Sequence, residues 1–322
     1  MATVSFRQGI RKRFVALTIL LLIATACVGL APYHWFAELF SHFTPHYAVF
    51  ALLCLLGLLL VRAWRWAALA CALLLYNGYP VARVLLHDNT PPVAVTRHVT
   101  VFHFNVGLNH EQPGRISAFL RRRAKLIDVV VLLETSHQFD PILDEIKDLF
   151  PYQIKHLEDS PFGIAMASKY PFDSSAVSRE PSGMFPHIEA AIHLPERAAP
   201  LAFYAVHAPP PISGEMAEGR NRKMGTIARK AAAQPQATPI VVGDFNLTPW
   251  SPYFQNFVTA SGLRDARTSH RLDHTWPVTF DNANLGIAID HSFAHPSLPI
   301  IRRTIGPDLG SDHLPVTVTF GY

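Results

Sequence analysis

The chain has 322 residues, of which 49% are hydrophobic and only 16% are charged, and its formal net charge is +4. This length fits two structural units, and the apolar composition calls for a search for membrane spans. The positive charge belongs to residues 1–89, which hold seven Lys or Arg and two acidic residues. Residues 90–322 keep 21 of the 28 basic and 22 of the 24 acidic residues, a net charge of −1. The charge of the C-terminal part therefore gives no support to a broadly basic surface that binds nucleic acid.

Three apolar runs near the N-terminus predict transmembrane helices at residues 14–33, 47–61 and 66–82. The first run is long enough to cross a bilayer, and the basic turn with Arg62 and Arg65 separates the other two as a hairpin loop would. The alternative is a signal peptide, cleaved near the small residues 24–26 and followed by a buried helical hairpin. Three spans are favoured because the second and third runs have no soluble partner nearby in the sequence.

The basic residues also predict how these helices are oriented, since Lys and Arg are enriched on the cytoplasmic side of a membrane. The cluster at residues 7–13 and the turn with Arg62 and Arg65 are placed inside, and Arg83 is the one contrary charge. The prediction is a multi-pass protein of the inner (cell) membrane that contacts the lipid bilayer through its N-terminal helices. Its C-terminal domain then lies on the periplasmic, extracytoplasmic side.

The sequence divides into a membrane segment at residues 1–87, a polar, proline-containing linker at residues 88–97 and a folded domain at residues 98–322. All three cysteines fall in the apolar runs, so the domain has neither a disulfide nor a thiolate metal site. Strands are predicted at residues 99–105, 129–133, 163–168, 188–193, 201–206, 240–242, 286–289 and 314–320. Helices are predicted at residues 113–125, 139–150 and 215–233.

Residues that are able to act in catalysis or to bind a metal stand at the ends of these strands. They are Asn105, Glu134, His207, Asp244, Asp290 and His313. Each one alone is explained by a turn or a solvated strand end, but strand ends gathered at one edge of a sheet can form one pocket. After Gly243, for example, the carboxylate of Asp244 can hold a metal or accept a proton, and the amide of Asn246 can donate to a phosphate oxygen.

In these motifs and their order the chain resembles the endonuclease/exonuclease/phosphatase superfamily of DNase I-like proteins. The resemblance covers roughly residues 98–322 and leaves out the membrane segment. It rests on FNV at 104–106, VVLLE at 130–134, HAPP at 207–210, GDFN at 243–246, TWP at 275–277, IDH at 289–291 and GSDHLP at 310–315. The GDFN and SDHLPV segments are the specific ones. One departure is Leu133, where the family often has Gln before the metal-binding Glu.

The resemblance implies an α+β fold in which two packed β-sheets are flanked by helices, a four-layer sandwich that here follows about three transmembrane helices. It also implies hydrolysis of phosphate esters with a divalent metal, Mg²⁺ or alternatively Mn²⁺. Glu134 is then the main metal ligand, and Asn105 and Asp312 complete the site. Such oxygen ligands suit a hard cation like Mg²⁺.

The same resemblance implies roles for five catalytic residues. Asp244 positions or deprotonates the attacking water, and Asn246 donates to the phosphoryl oxygens. His313 contacts the phosphate, while Asp290 fixes the tautomer of His313 and favours its charged form. His207 contacts the phosphate or assists the leaving group.

The predicted function is a membrane-anchored, metal-dependent phosphoesterase that cleaves phosphodiester or phosphomonoester bonds by in-line attack of water. Its partner is the substrate, a nucleic acid, a lipid headgroup or a small phosphodiester, and no protein partner is implied. The alternative is a non-catalytic, membrane-tethered binding domain of the same fold. Arg220, Arg222 and Lys223 either line the approach of the substrate or form a helix face.

Overall fold

The computed structural model describes residues 2–86, 95–180, 184–234, 237–267, 272–278 and 286–322. The chain divides into two compact units. One comprises Met1–His87 with Thr248–Phe254, and the other comprises Asp88–Leu247 with Gln255–Tyr322. Most of the predicted linker, residues 88–94, lies outside the described residues.

The first unit contains the N-terminal helices α1 (Ala2–Leu30), α2 (Trp35–Ser41), α3 (Thr44–Leu60) and α4 (Trp64–Leu85). Two helical stretches are long and apolar enough to cross a membrane, Phe6–Leu30 and Trp64–Leu85. The pair α2 and α3, bent by 61°, is a third candidate if it forms one span. Inside this unit Asn77 Nδ2 donates to Thr25 Oγ1 at 2.9 Å, which joins α4 to α1. In the part of the chain that the structure describes, two or three N-terminal helices thus have the length and composition of membrane spans.

The second unit is built on two six-stranded mixed sheets. The order in sheet A is β11 (Ile300–Ile305), β12 (Val316–Gly321), β1 (His98–Asn105), β2 (Val129–Leu133), β4 (Ile164–Ser168) and β3 (Tyr152–His156). The order in sheet B is β5 (Phe172–Arg179), β6 (Pro186–Ile192), β7 (Leu201–His207), β8 (Thr238–Asp244), β10 (Asp290–Ala294) and β9 (Arg264–Asp265). The strands β1 and β2 are parallel, as are β7 and β8.

The main core lies between the sheets because alternate side chains of each strand point to the same face. Val99 and Val101 of β1 belong to one apolar cluster with Ile240 and Val242 of β8. On the other face of sheet A, Phe102 and its neighbours pack against the helices α5 (Gly114–Arg123) and α6 (Asp140–Glu145). The helix α7 (Gly214–Ala232) covers sheet B, where Lys223 bonds to the backbone of β6 and β7. The predicted class, two packed sheets flanked by helices, is confirmed.

Most predicted strands lie within a few residues of their expected positions, and the exceptions have physical causes. Residues 286–289 form no strand, since Ile287 makes only an isolated bridge to Trp276 and β10 begins at Asp290. Several residues of β10 are polar, so the sequence shows no apolar run that would predict this strand. The strand β5 was not predicted because most of its side chains are exposed, so it has no apolar alternation. The helix predicted at residues 139–150 is shorter, Asp140–Glu145.

Candidate active site

The alternation that builds the core also directs polar side chains to one end of it. Along β1, Val99 and Val101 are followed on the same face by His103 and Asn105, both fully buried. His103 Nε2 lies 2.8 Å from Ser292 Oγ of sheet B, and Asn105 Nδ2 donates to Asp244 Oδ2 of sheet B at 3.1 Å. The contact between the sheets therefore changes from apolar to polar toward the ends of β1 and β8.

Strand pairing within sheet B brings three chemically active residues side by side. The parallel register of β7 and β8 pairs His207 with Asp244, and the antiparallel register of β8 and β10 pairs Asp290 with Asp244. The end of β8 thus meets the end of β7 on one side and the beginning of β10 on the other. All three side chains are almost completely buried.

The carboxylate of Asp244 is the centre of the site. Its Oδ2 lies 3.1 Å from Asn105 Nδ2, 3.6 Å from His207 Nε2 and 3.8 Å from His313 Nε2. Burial raises the pKa of Asp244, and the charge of Asp290 adds to the effect, whereas His313 opposes it. A carboxylate whose pKa is raised toward neutrality has the basicity that a general base requires.

The backbone after Asp244 turns tightly and is held from two directions. Gly243 has φ +140°, and a Cβ at this position would lie 1.9 Å from the carbonyl oxygen of Val206, so only glycine fits. Asn246 has φ +48°, and its N–H donates to Asp244 Oδ1 at 2.8 Å. The Asn246 amide donates one of its two N–H groups to Ala208 O at 2.9 Å.

Glu134 and Asn105 form the second part of the site. Asn105 Nδ2 donates to Glu134 Oε1, and the N–H of Leu108 donates to Glu134 Oε2, each at 2.9 Å. Glu134 follows β2 in a left-handed conformation with φ +60°. His207 Nε2 lies 3.7 Å from Glu134 Oε1, which connects this part to the Asp244 centre. Leu133, at the position where the family often has Gln, is buried in the core between the sheets.

Asp312 lies near Glu134 and is exposed at the surface. Its Oδ2 accepts a hydrogen bond from Trp276 Nε1 at 2.9 Å. Burial raises the pKa of Glu134, and the charge of Asp312 raises it further, although the hydrogen bond from Asn105 opposes both effects. The charge of Asp312 therefore acts on Glu134.

His313 is paired with Asp290. The two side chains meet at 2.9 Å through His313 Nδ1 and Asp290 Oδ2. Burial lowers the pKa of His313, but the charge and hydrogen bond of Asp290, together with Asp244 and Asp312, outweigh it and raise the pKa to about 10. His313 is thus an imidazolium at neutral pH, with Nε2 directed toward Asp244.

The second histidine of the site, His207, is neutral. Burial lowers its pKa to about 3, and the nearby positive charges of Lys223 and His313 act in the same direction. The site therefore combines a charged and an uncharged imidazole on the two sides of Asp244. Of the other seven predicted site residues, the structure places five next to Asp244: Asn105, His207, Asn246, Asp290 and His313. Glu134 joins them through Asn105 and His207, and Asp312 is exposed beside Glu134.

Several residues that support the site were not assigned a role from the sequence. Thr275 Oγ1 accepts the N–H of Asp290 at 3.2 Å, and Ser311 Oγ donates to Asn105 O at 2.8 Å while accepting the N–H of His313 at 3.0 Å. The Ser311 contact is a local hydrogen bond from residue i to i+2, a pattern that Ser readily forms. The contact of Thr275 depends on distant strand pairing and has no local signal.

Arg220 and Lys223 do not line an open approach to the site, because both side chains are fully buried. Of the three basic residues in this stretch, Arg222 is the exposed one, and it pairs with Glu218 at 3.0 Å. The spacing of these residues in the sequence already indicates their burial. Both buried residues share the apolar face of α7 with Met224 and Ile227 at helical spacing.

The residues present fit a hard divalent cation. Glu134 and Asp312 offer carboxylate oxygens, and a cation would offset the repulsion from Asp312 that, together with burial, raises the pKa of Glu134. The amide oxygen of Asn105, the third predicted ligand, accepts the N–H of Gly107 at 3.1 Å, so the amide would have to turn to offer this oxygen to a cation. A second group, Asp244, Asp290 and His313, has ligand atoms within 4.8 Å of one another. This group fits a metal less well, because His313 is protonated and its Nδ1 is bonded to Asp290.

Comparison with solved structures defines the class of this fold. An endonuclease/exonuclease/phosphatase from Beutenbergia cavernae is 19% identical, with 70% of this chain and 72% of that chain covered and a TM-score of 0.55. The D. rerio TDP2 complexed with single-strand DNA product is 17% identical, with 70% and 99% covered and a TM-score of 0.58. Sphingomyelinase C from Streptomyces griseocarneus is 15% identical, with 70% and 100% covered and a TM-score of 0.54. The shared feature is the DNase I-like fold.

The sequence itself defines the family. The model of the endonuclease/exonuclease/phosphatase family matches residues 102–313, which include all eight site residues. The chain belongs to the endonuclease/exonuclease/phosphatase family. This membership makes it a hydrolase of the class that acts on phosphate esters. No curated protein sequence matches the chain significantly.

Proposed function

We propose that the protein is a membrane-anchored, Mg²⁺-dependent phosphodiesterase in which Asp244 activates the attacking water. The observation that carries this proposal is the arrangement around Asp244 Oδ2, which has the amide of Asn105 and both imidazoles, His207 and His313, within 3.8 Å. A basic carboxylate and oriented donors on one reaction centre are what hydrolysis of a phosphate ester needs.

Asp244 takes the role of base. The backbone N–H of Asn246 donates to Oδ1 of Asp244 and fixes this oxygen. The other oxygen, Oδ2, can then accept a proton from water. The raised pKa of this carboxyl group makes it a stronger base than a solvated aspartate. Asn246 orients the water or a phosphoryl oxygen through the second N–H of its amide.

The two imidazoles, positive in His313 and neutral in His207, have different roles. His313, charged at neutral pH, binds a phosphoryl oxygen and stabilises the negative charge that develops during the attack. Asp290 holds its ring through the bond to Nδ1. His207, which is neutral, contacts the phosphate or the leaving oxygen through Nε2.

Glu134, Asn105 and Asp312 would hold the metal. When bound, Mg²⁺ supplies positive charge to the phosphate and to the leaving oxygen. Asn105 donates through Nδ2 to both Glu134 and Asp244, so its amide would turn to offer the metal its oxygen, which accepts the N–H of Gly107 in this structure.

The N-terminal helices are proposed to anchor the protein in the inner membrane as a multi-pass segment. The basic residues at positions 7–13 and the turn with Arg62 and Arg65 support a periplasmic position for the catalytic domain. A tether of this kind keeps the domain close to phospholipid headgroups, and it also suits an enzyme that degrades nucleic acid at the cell surface.

A non-catalytic binding domain is the second class considered. Such a domain has no need of a buried carboxylate with raised pKa or of an Asp–His pair, whereas every acidic and imidazole position of the expected set is filled here. The enzyme is therefore favoured.

A substrate panel tests the proposal. The full-length protein in detergent is assayed with DNA, RNA, phosphatidylinositol phosphates, sphingomyelin and bis-p-nitrophenyl phosphate, each with Mg²⁺ and with EDTA. Hydrolysis of at least one of these that requires Mg²⁺ and is lost in Asp244→Asn is expected. Absence of Mg²⁺-dependent hydrolysis across the whole panel would contradict the proposal and support the binding domain.

The net charge of −1 on residues 90–322 favours a lipid or small phosphodiester over non-specific binding of nucleic acid.

A further inference from the structure

The helix α7 carries two cations on a face that is otherwise apolar. Arg220 and Lys223 are both fully buried, beside Met224 and Ile227. Burial of a charged side chain is unfavourable unless the charged group is hydrogen-bonded. Packing alone therefore does not account for these two residues, and their hydrogen-bond partners do.

Both cations bind backbone carbonyl groups at the edge of the active site. Lys223 Nζ donates to the carbonyl oxygen of His207 at 2.6 Å and to that of Pro186 at 2.7 Å. Arg220 Nη1 donates to the carbonyl oxygen of Asn246 at 3.1 Å. One helix thus holds the main chain of the two segments that present His207 and Asn246 to the site.

We propose that Arg220 and Lys223 are positioning residues for the hydrolysis of the phosphate ester. They touch no substrate, and they fix the backbone from which His207 and Asn246 extend. This inference rests on the proposed function, and it adds a supporting helix to a site otherwise built from strand ends and loops.

The position of Lys223 explains why a lysine is suited to this place on the helix. His207 is the last residue of β7, and Pro186 is the first residue of the neighbouring strand β6, so their carbonyl groups lie where the strand pairing ends. A lysine amine has two N–H groups even when it is neutral, and three when it is charged, so it can satisfy both carbonyl groups in either state. Buried carbonyl groups without donors would be costly.

The same helix also supports the imidazole of His207 from the side. A Cβ at Gly219 would lie 2.7 Å from Phe185 Cε2, so the absence of a side chain lets α7 approach Phe185 closely. Phe185 packs edge-on against Phe162 with ring centroids 4.9 Å apart, and Phe162 packs against the ring of His207 at 5.9 Å. The helix therefore restrains His207 through its backbone and through its ring.

The test compares variants of the full-length protein in detergent. Lys223→Met removes both hydrogen bonds with a side chain of similar length, Lys223→Gln keeps an N–H donor without the charge, and Arg222→Met is the control on the exposed face of the same helix. Turnover of bis-p-nitrophenyl phosphate is measured against substrate concentration with Mg²⁺. Since a displacement of about 1 Å in a catalytic group can cost about a hundredfold in rate, Lys223→Met is expected to lower kcat by about that factor.

The expected pattern distinguishes positioning from a purely structural role. KM should stay close to the wild-type value in Lys223→Met, Lys223→Gln should recover much of the lost kcat, and Arg222→Met should behave as wild type. A wild-type kcat in Lys223→Met, corrected for folded protein, would overturn the proposal. Equal losses in Lys223→Met and Lys223→Gln, with a lower melting temperature for both, would also overturn it.

A second measurement does not depend on activity. Hydrogen–deuterium exchange is followed by mass spectrometry in peptides that contain His207 and Asn246. Lys223→Met should accelerate exchange around His207 only, and Arg222→Met should not change it. Acceleration across the whole domain would contradict local positioning. If the wild-type protein hydrolyses no phosphodiester, the proposed function fails, and the exchange pattern still decides whether α7 holds these segments.

Discussion

His313 Nδ1 and Asp290 Oδ2 lie 2.9 Å apart in an almost completely buried pair, at the point where β10 begins and the chain enters β12. The pair is held by its backbone as well. Thr275 accepts the N–H of Asp290, and Arg303 Nη2 donates to the carbonyl oxygen of Asp290 at 3.3 Å. His313 consequently has one fixed orientation and a stabilised positive charge.

This pairing predicts how activity changes with pH. The pKa of His313 is raised to about 10, so the imidazolium persists through neutral pH and is lost only as the pH rises through that value. Asp290→Asn removes the carboxylate that raises the pKa, and the alkaline loss of activity should then move to lower pH. The measurement is kcat/KM from pH 6 to about 10.5 for both proteins. An unchanged alkaline limb in Asp290→Asn would show that the pair does not control the charge.

The two residues should also act as one unit. Asp290→Asn, His313→Ala and the double variant are expected to lose turnover to similar extents, because removal of either partner disables the other. Kinetic constants of the three variants at pH 7 check this. Losses that multiply in the double variant would mean that Asp290 and His313 act independently.

A partly buried group of charged side chains on β6 and α7 predicts a dependence of stability on pH. Glu189 of β6 lies 2.9 Å from His187 Nε2 through Oε1 and forms an ion pair with Lys230 of α7. The hydrogen bond from His187 lowers the pKa of Glu189 to about 2 despite the opposing effect of burial, and Lys230 adds to the lowering. Because the folded pKa lies below the unfolded value, this stabilisation is complete above about pH 5 and is lost as the pH falls toward 2.

Glu189→Gln should therefore lower the free energy of unfolding by about 1 kcal/mol at pH 7, a discounted value since Glu189 is partly exposed. At pH 3 the difference from wild type should be clearly smaller. Melting curves of the two proteins at both pH values provide the test, with Glu218→Gln as the control in an exposed pair. A difference that stays constant with pH would contradict the assignment of the low pKa.

The orientation in the membrane is tested by reporter fusions. Because the basic residues at positions 7–13 and at Arg62 and Arg65 are predicted to face the cytoplasm, alkaline phosphatase fused after Tyr322 should be active in a bacterial host. Green fluorescent protein at the same position should be dark. An inactive phosphatase together with a bright fluorescent fusion would place the domain in the cytoplasm.

Much of the fold and of the site can be predicted from the sequence, because both depend on the alternation of side chains along β-strands, which repeats every two residues. The alternation that buries Val99 and Val101 also directs Asn105 to the inner face, and the run before Glu134 marks a buried strand without tertiary information. What was missed depends on long-range pairing. Asp290 was predicted as a site residue, but the strand was expected before it at residues 286–289 instead of beginning at Asp290, and its place beside Asp244 follows from the register of two distant strands. Exposed edge strands such as β5 carry no apolar pattern at all.

In the proposed function, Glu134 and its neighbours hold a divalent metal that is needed for hydrolysis. Glu134→Gln removes the ligand charge at nearly constant volume and should lower kcat by about a hundredfold or more, because a major source of charge stabilisation is weakened. Its apparent affinity for Mg²⁺ should fall as well. Glu158→Gln, which changes a nearby and partly exposed carboxylate, should have little effect.

The same variant should keep its fold. Burial and the charge of Asp312 raise the pKa of Glu134, so the loss of its charge relieves repulsion when no metal is present. In EDTA, Glu134→Gln is expected to melt close to the temperature of the wild type, because the relief of repulsion is offset by the loss of one of the two hydrogen bonds that Glu134 accepts. With Mg²⁺ the wild type should melt at the clearly higher temperature, since a ligand that binds only the folded state stabilises it.

The most direct single measurement is the rate of bis-p-nitrophenyl phosphate hydrolysis as a function of Mg²⁺ concentration for the wild type and Glu134→Gln. We predict that the wild-type rate rises from background in EDTA to a plateau, and that the variant requires more Mg²⁺ and reaches a far lower plateau. Full activity of the wild type in EDTA, or an unchanged Mg²⁺ dependence in Glu134→Gln, would contradict the assignment of Glu134 as the metal ligand.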